Sequence, residues 1–181
     1  MTINLKNFLQ DKQKLSKMGE FQELQEIDGL EVSAVSADLY GSGRDDLALF
    51  YFKEGANYAA VYTNNSICSE SITWNKGLRK TSIKALMVNT KNANTFTGSQ
   101  GFEGVETLSK TIAKNLTLRE AQKKEGTTSV IKPNEILFAS TGVIGEKFPT
   151  QKIKECIPNL VEKLRDRQNK FIWFKSASSI M

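Results

Sequence analysis

The chain has 181 residues, 39% of them hydrophobic and 25% charged, with 25 Lys+Arg against 20 Asp+Glu and a formal net charge of +5. That length suffices for one domain with a sizeable core, and no apolar run approaches the ~20 residues of a membrane-spanning helix. Histidine is absent, which excludes Ser-His-Asp and Cys-His nucleophile pairs and argues against a typical zinc site.

The first twenty residues alternate charge with apolar positions and lack the continuous apolar core of a signal peptide, so the expected compartment is the cytoplasm. Leu5, Phe8, Leu9, Leu15 and Met18 sit at helical spacing and predict an amphipathic lead helix within residues 1–27, or else a loosely ordered extension. After Asp28-Gly29, the alternation of Leu30, Val32, Ala34 and Ser36 predicts a strand. Gly41-Ser42-Gly43 predicts a turn. The apolar run Leu47 to Phe52 suits a strand covered on both faces. A turn at Glu54-Gly55-Ala56-Asn57 would then lead into a further strand, Tyr58 to Thr63, and Ser66 to Trp74 alternates again with Ile67 and Ile72 inward. Cys68 and Cys156 lie far apart without a pairing motif and read as reduced thiols.

Ile83 to Asn89 is a clear buried strand. It runs into the polar loop Asn89-Thr90-Lys91-Asn92-Ala93-Asn94-Thr95-Phe96-Thr97-Gly98, and a helix with Val105, Leu108, Ile112 and Leu116 on one stripe follows. A glycine-bearing loop entering a helix can cradle an anion. The pattern matches no phosphate-binding fingerprint, however, and the asparagines read more naturally as partners for neighbouring backbone. Residues 119–134 read as a surface excursion. Next comes the strand on which the chain centres, Glu135 to Ala139, ending in a Ser140-Thr141-Gly142 corner. Pro149-Thr150 opens a helix with Ile153, Ile157, Leu160, Val161 and Leu164 on one side, which Pro158 should interrupt. The tail, Phe171-Ile172-Trp173-Phe174, is an apolar cluster that requires a partner surface or more chain.

The corner carries the chemistry. The Thr141 hydroxyl and the Gly142 backbone N–H are donors on adjacent residues at a strand end, the equipment of an oxyanion hole. The plain alternative is a strand-to-helix connection that merely turns. Without histidine, an acyl-transfer nucleophile needs another base, and a threonine using its own terminal amine is one solution.

These segments carry a family resemblance. Ala139-Ser140-Thr141-Gly142-Val143-Ile144-Gly145 resembles the corresponding segment of the ornithine acetyltransferase (ArgJ) family. The asparagine loop is similar to a second motif of that family at Asn89, Asn92, Ala93, Asn94, Thr97 and Gly98. Asp46-Leu47-Ala48-Leu49 and Val61-Tyr62-Thr63-Asn64-Asn65 resemble its early strands. The resemblance implies an α/β fold, an αββα sandwich of the DmpA/ArgJ-like self-processing type incomplete in this chain. Residues 1–28 would be an extension and 29–181 the N-terminal part of the domain. It implies acetyl transfer from N-acetylornithine to glutamate through an acetyl-threonine, with acetyl-CoA as an additional donor in some members and no cofactor. The oxyanion pair falls on Thr141 and Gly142. The nucleophilic threonine would lie in a further segment, so the expected partner is a C-terminal segment or chain, in a hetero-oligomer of two processed chains. Two departures stand out: Lys91 replaces a glycine, and Thr95-Phe96 replaces Ala-Cys. Other readings are a self-processing aminopeptidase on the same sandwich and a non-catalytic fragment or basic binding module.

Overall fold

A computed structural model describes residues 24–123 and 130–180. The expected lead helix falls almost wholly on residues outside that range. Among the described residues, four strands form one mixed sheet in the order β1 (Leu30–Val35), β2 (Leu47–Asn57), β3 (Ser82–Asn89), β4 (Ile136–Ser140). The first two pairings are antiparallel and β3 runs parallel to β4. The helices are α1 (Glu70–Gly77), α2 (Gly98–Lys123), α3 (Thr150–Glu162) and α4 (Lys170–Ile180), with a 3₁₀ turn at Pro133–Glu135 before β4.

Strand alternation sorts the sheet into two faces. Val35, Leu47, Leu49, Tyr51, Ala85, Met87, Ile136 and Phe138 face α2 and α3, whose stripes of Val105, Leu108, Ile112, Leu116, Ile153, Ile157 and Leu160 complete the main core. On the opposite face Ala34, Ala48 and Val88 pack with Phe50 and Leu86, and α4 lies across them with Trp173 stacked on Phe50 at a ring separation of 6.4 Å. The tail therefore finds cover for Trp173 within the chain, while Phe171 stays 51% exposed.

Four sequence expectations are corrected. β2 does not stop at a turn near Gly55; it continues through a register shift between Tyr51 and Ala56 as one bulged strand, in which Gly55 takes φ +84°. Tyr58 to Thr63 is consequently not a strand, and Val61 is fully exposed. Ser66–Trp74 is not a strand either: Ser69 caps α1, its side chain accepting from the Ser71 N–H. Pro158 does not break α3. It lies on the exposed side, where water can satisfy the carbonyl that loses its N–H partner. β4 itself sits at a sheet edge. Its burial comes from α1 and α2 closing over it.

Both edges are covered, one by side chains and the other by backbone and side chains together. On β4, Asn75 imitates a neighbouring strand: its Nδ2 donates to the Phe138 carbonyl at 2.8 Å and its Oδ1 accepts from the Phe138 N–H at 3.0 Å. Trp74 Nε1 donates to the Ile136 carbonyl at 2.9 Å. On β1, Val32 exchanges backbone hydrogen bonds with Arg165. Gln168 and Lys175 donate to the carbonyls of Leu30 and Ala34. Sheet edges left open invite pairing with other chains.

Candidate functional site

Because β3 and β4 are parallel and paired from Ala85–Ile136 to Asn89–Ser140, their C-terminal ends lie side by side. The asparagine loop leaves one end and the Ser-Thr-Gly corner leaves the other. Ligand sites of α/β sheets gather at such ends.

The loop and corner are zipped together. The N–H groups of Thr141, Val143 and Gly145 donate to the carbonyls of Asn89 (3.0 Å), Lys91 (2.9 Å) and Thr95 (2.9 Å), and Ala93 N–H returns to the Val143 carbonyl at 2.9 Å. The Gly142 N–H takes no part in this zipper. Among the described residues that N–H and the Thr141 hydroxyl have no hydrogen-bond partner, and both residues are exposed.

Glycine is required at 142 on two counts. Its φ is +132°, and a Cβ there would overlap the Lys91 carbonyl and the Asn92 nitrogen. Lys91 itself has φ +73°, a left-handed conformation that costs an L-residue roughly 1–2 kcal/mol. The position where the family resemblance has glycine is thus one whose backbone favours glycine.

Buried asparagines lock the loop. Asn92 Nδ2 donates to the carbonyls of Glu146 (3.0 Å) and Lys147 (3.2 Å), and its Oδ1 accepts from the Asn94 N–H at 2.8 Å. Asn94 Nδ2 donates to the Gly101 carbonyl, and its Oδ1 accepts from Thr97. This bears out the reading of the asparagines as backbone partners. Asn89 grips the corner from below. Its carbonyl holds Thr141, its Oδ1 accepts from Ser140 Oγ at 2.7 Å, and its Nδ2 donates to the Asn92 carbonyl at 2.9 Å. Ser140 in turn accepts from buried Ser71 at 2.7 Å. Thr141 and Gly142 are thus brought beside the asparagine loop. Sequence reasoning missed Ser71, because nothing local marks a serine in the first turn of α1 as a partner of residue 140.

Phe96 (66% exposed), Val143 (41%) and Ile144 (61%) stand around the corner as apolar groups open to solvent. Phe96 also takes a positive φ of 58°.

Fold and corner define a class: an α/β protein on a mixed sheet whose last parallel strand ends in a Ser-Thr-Gly turn with two unpartnered donors. Comparison with known proteins narrows this. The ArgJ family model matches residues 31–181, and the chain belongs to the ArgJ family. The arginine biosynthesis bifunctional protein ArgJ of Gluconobacter oxydans is 33% identical over 160 residues, covering 88% of this chain and 34% of that protein. Its counterpart from Pseudomonas fluorescens is 29% identical, covering 91% and 36%. The chain thus spans about a third of the length of these relatives. Among solved structures, ornithine acetyltransferase from Mycobacterium tuberculosis, complexed with ornithine, superposes with a TM-score of 0.76 at 23% identity, over 88% of this chain and 81% of that one. ArgJ from Bacillus halodurans superposes with a TM-score of 0.67 at 21% identity. Both establish the fold.

Proposed function

We propose that the chain supplies the oxyanion-stabilising part of an ornithine acetyltransferase that moves acetyl from N-acetylornithine to glutamate. The observation that carries this reading is the pair of unpartnered, exposed donors at Thr141 and Gly142, set at the C-terminal end of β4. A threonine hydroxyl, provided by the part of the relatives' length that this chain does not span, attacks the acetyl carbonyl. The carbonyl π electrons move onto oxygen, and the two donors meet that negative charge. Collapse expels the ornithine amine, which takes up a proton, and leaves acetyl-threonine. The glutamate amine then attacks the ester through a second oxyanion at the same donors and frees the threonine. The threonine's own terminal amine serves as base, which suits a chain without histidine. In this reading the amine is exposed by self-cleavage, the two processed chains stay associated in the cytoplasm, and the only cofactor-like molecule is acetyl-CoA as a second acetyl donor.

The test is ornithine release by this chain co-expressed with the nucleophile-bearing segment, comparing wild type with Thr141→Ala. Loss of one oxyanion donor should lower kcat by roughly 10²–10³. Unchanged kcat in the variant would remove Thr141 from the chemistry.

A further inference from the structure

A cavity of about 140 Å³ opens beside the asparagine loop, between Lys91–Asn92 and the stretch containing Glu146, Lys147, Pro149 and Lys152. Its side chains carry three positive charges and one negative. None of the ammonium groups is tightly held. Among the described residues Lys91 Nζ stands 3.9 Å from the half-exposed Glu146 carboxylate, Lys152 Nζ reaches only the Asp38 carbonyl at 3.3 Å, and Lys147 Nζ has no partner. A fourth cation stands behind them, since the Tyr40 ring lies 6.0 Å from Lys91 Nζ and 4.3 Å from the Arg44 guanidinium. Lys91 also occupies a left-handed backbone position that glycine would fill without strain. Strain retained at one residue points to a use for its side chain.

We propose that this cavity binds a phosphate group, the phosphate or pyrophosphate moiety of a small metabolite, with Lys91, Lys147 and Lys152 as its cationic ligands. The volume admits one such group, and an excess of two positive charges suits a dianion better than a carboxylate. Lysine serves phosphates as a point charge. The ligand would touch the corner's own support, because the Lys91 carbonyl receives the Val143 N–H and Asn92 holds the carbonyls of Glu146 and Lys147. Binding here does not depend on the acetyl-transfer reading.

The experiment is calorimetric titration of the full chain with inorganic phosphate, inorganic pyrophosphate and, as a carboxylate control, acetate at matched ionic strength, with amide NMR shifts locating the site. Saturable binding of phosphate or pyrophosphate is expected, with shifts centred on residues 91–92 and 146–152. Lys91→Gln should weaken it about tenfold, the usual scale for losing one charge-assisted contact, and Lys91→Arg should retain it. A Lys147→Gln/Lys152→Gln pair gives the same loss by a route that leaves the strained position alone. Thermal melts of each variant establish that it is folded. Absent binding, shifts scattered over lysines across the surface, acetate binding as tightly as phosphate, or Lys91→Gln binding like wild type would each overturn the proposal.

Discussion

At the scale of single residues, the corner depends on a pair of backbone positions with opposite demands. A Cβ at Gly142 would overlap the Lys91 peptide, so Gly142→Ala should destabilise the fold by about 2–3 kcal/mol and disorder the loop contact. Lys91 is strained where it stands. Lys91→Gly should therefore stabilise by about 1 kcal/mol, since the ion pair it loses is long and partly exposed. Urea unfolding of the two variants checks both signs; a destabilised Lys91→Gly would show that its side-chain contacts outweigh the strain. The motif residues themselves were legible, because Ser-Thr-Gly and the asparagine cluster are locally distinctive. What the string could not show was that the N–H groups of 141, 143 and 145 are consumed by the loop while that of 142 is left over. That follows from the pairing partner and not from the residues.

At the scale of elements, the least legible parts were those whose role is to cover something else. α1 has a weak apolar pattern, which explains why Ser66–Trp74 reads as alternating. Its identity is fixed by Ser69 capping and by what Trp74 and Asn75 do at the β4 edge. Asn75→Ala would leave the N–H and carbonyl of Phe138 without partners, at a cost of about 1–3 kcal/mol. It would also open a strand edge. The expected outcome is a lower urea midpoint together with faster aggregation, followed by light scattering; a variant with wild-type midpoint would mean that water serves the edge equally well. β2 misled for a related reason. Glu54-Gly55 carries the composition of a turn, yet pairing with β3 on both sides of the irregularity keeps the strand going.

For the molecule as a whole, one charge cluster ties layers together. Glu31, 2% exposed in β1, is met by Lys53 from β2 and by Arg119 and Lys123 from the last turns of α2. Burial by itself would raise the Glu31 carboxyl. The hydrogen bond from Lys123, the charge and hydrogen bond of Arg119, and Lys53 outweigh it and hold the group below the usual 4.5. A lowered folded value means the unfolded chain takes up protons first as pH falls. The stability from this cluster is thus complete above about pH 4.5 and drains away as pH drops through the folded value. Asp46 acts in the opposite sense: burial raises its carboxyl above 3.8 despite hydrogen bonds from Ala37 and Leu39, so its contribution declines as pH rises past 3.8. Comparing urea midpoints against pH for wild type and Glu31→Gln isolates the first effect. The variant should lose about 3 kcal/mol at neutral pH, the lower end for uncovering a buried charge cluster, and should show a shallower acid slope. Parallel curves would remove Glu31 as the source.

By itself the sequence determined the family, the α/β composition, the stripes of α2 and α3, and the two motifs with Thr141 and Gly142 among them, because periodicity and glycine-bearing turns are written locally. Only the tertiary structure decided that β3 and β4 run parallel, and so bring those motifs to one end of the sheet. It also decided that Ser71 and Asn75 act on β4 from another element, and that three lysines from two separated segments share one cavity. Such facts depend on which surfaces remain to be buried once every element has formed, and no single stretch of chain contains that information.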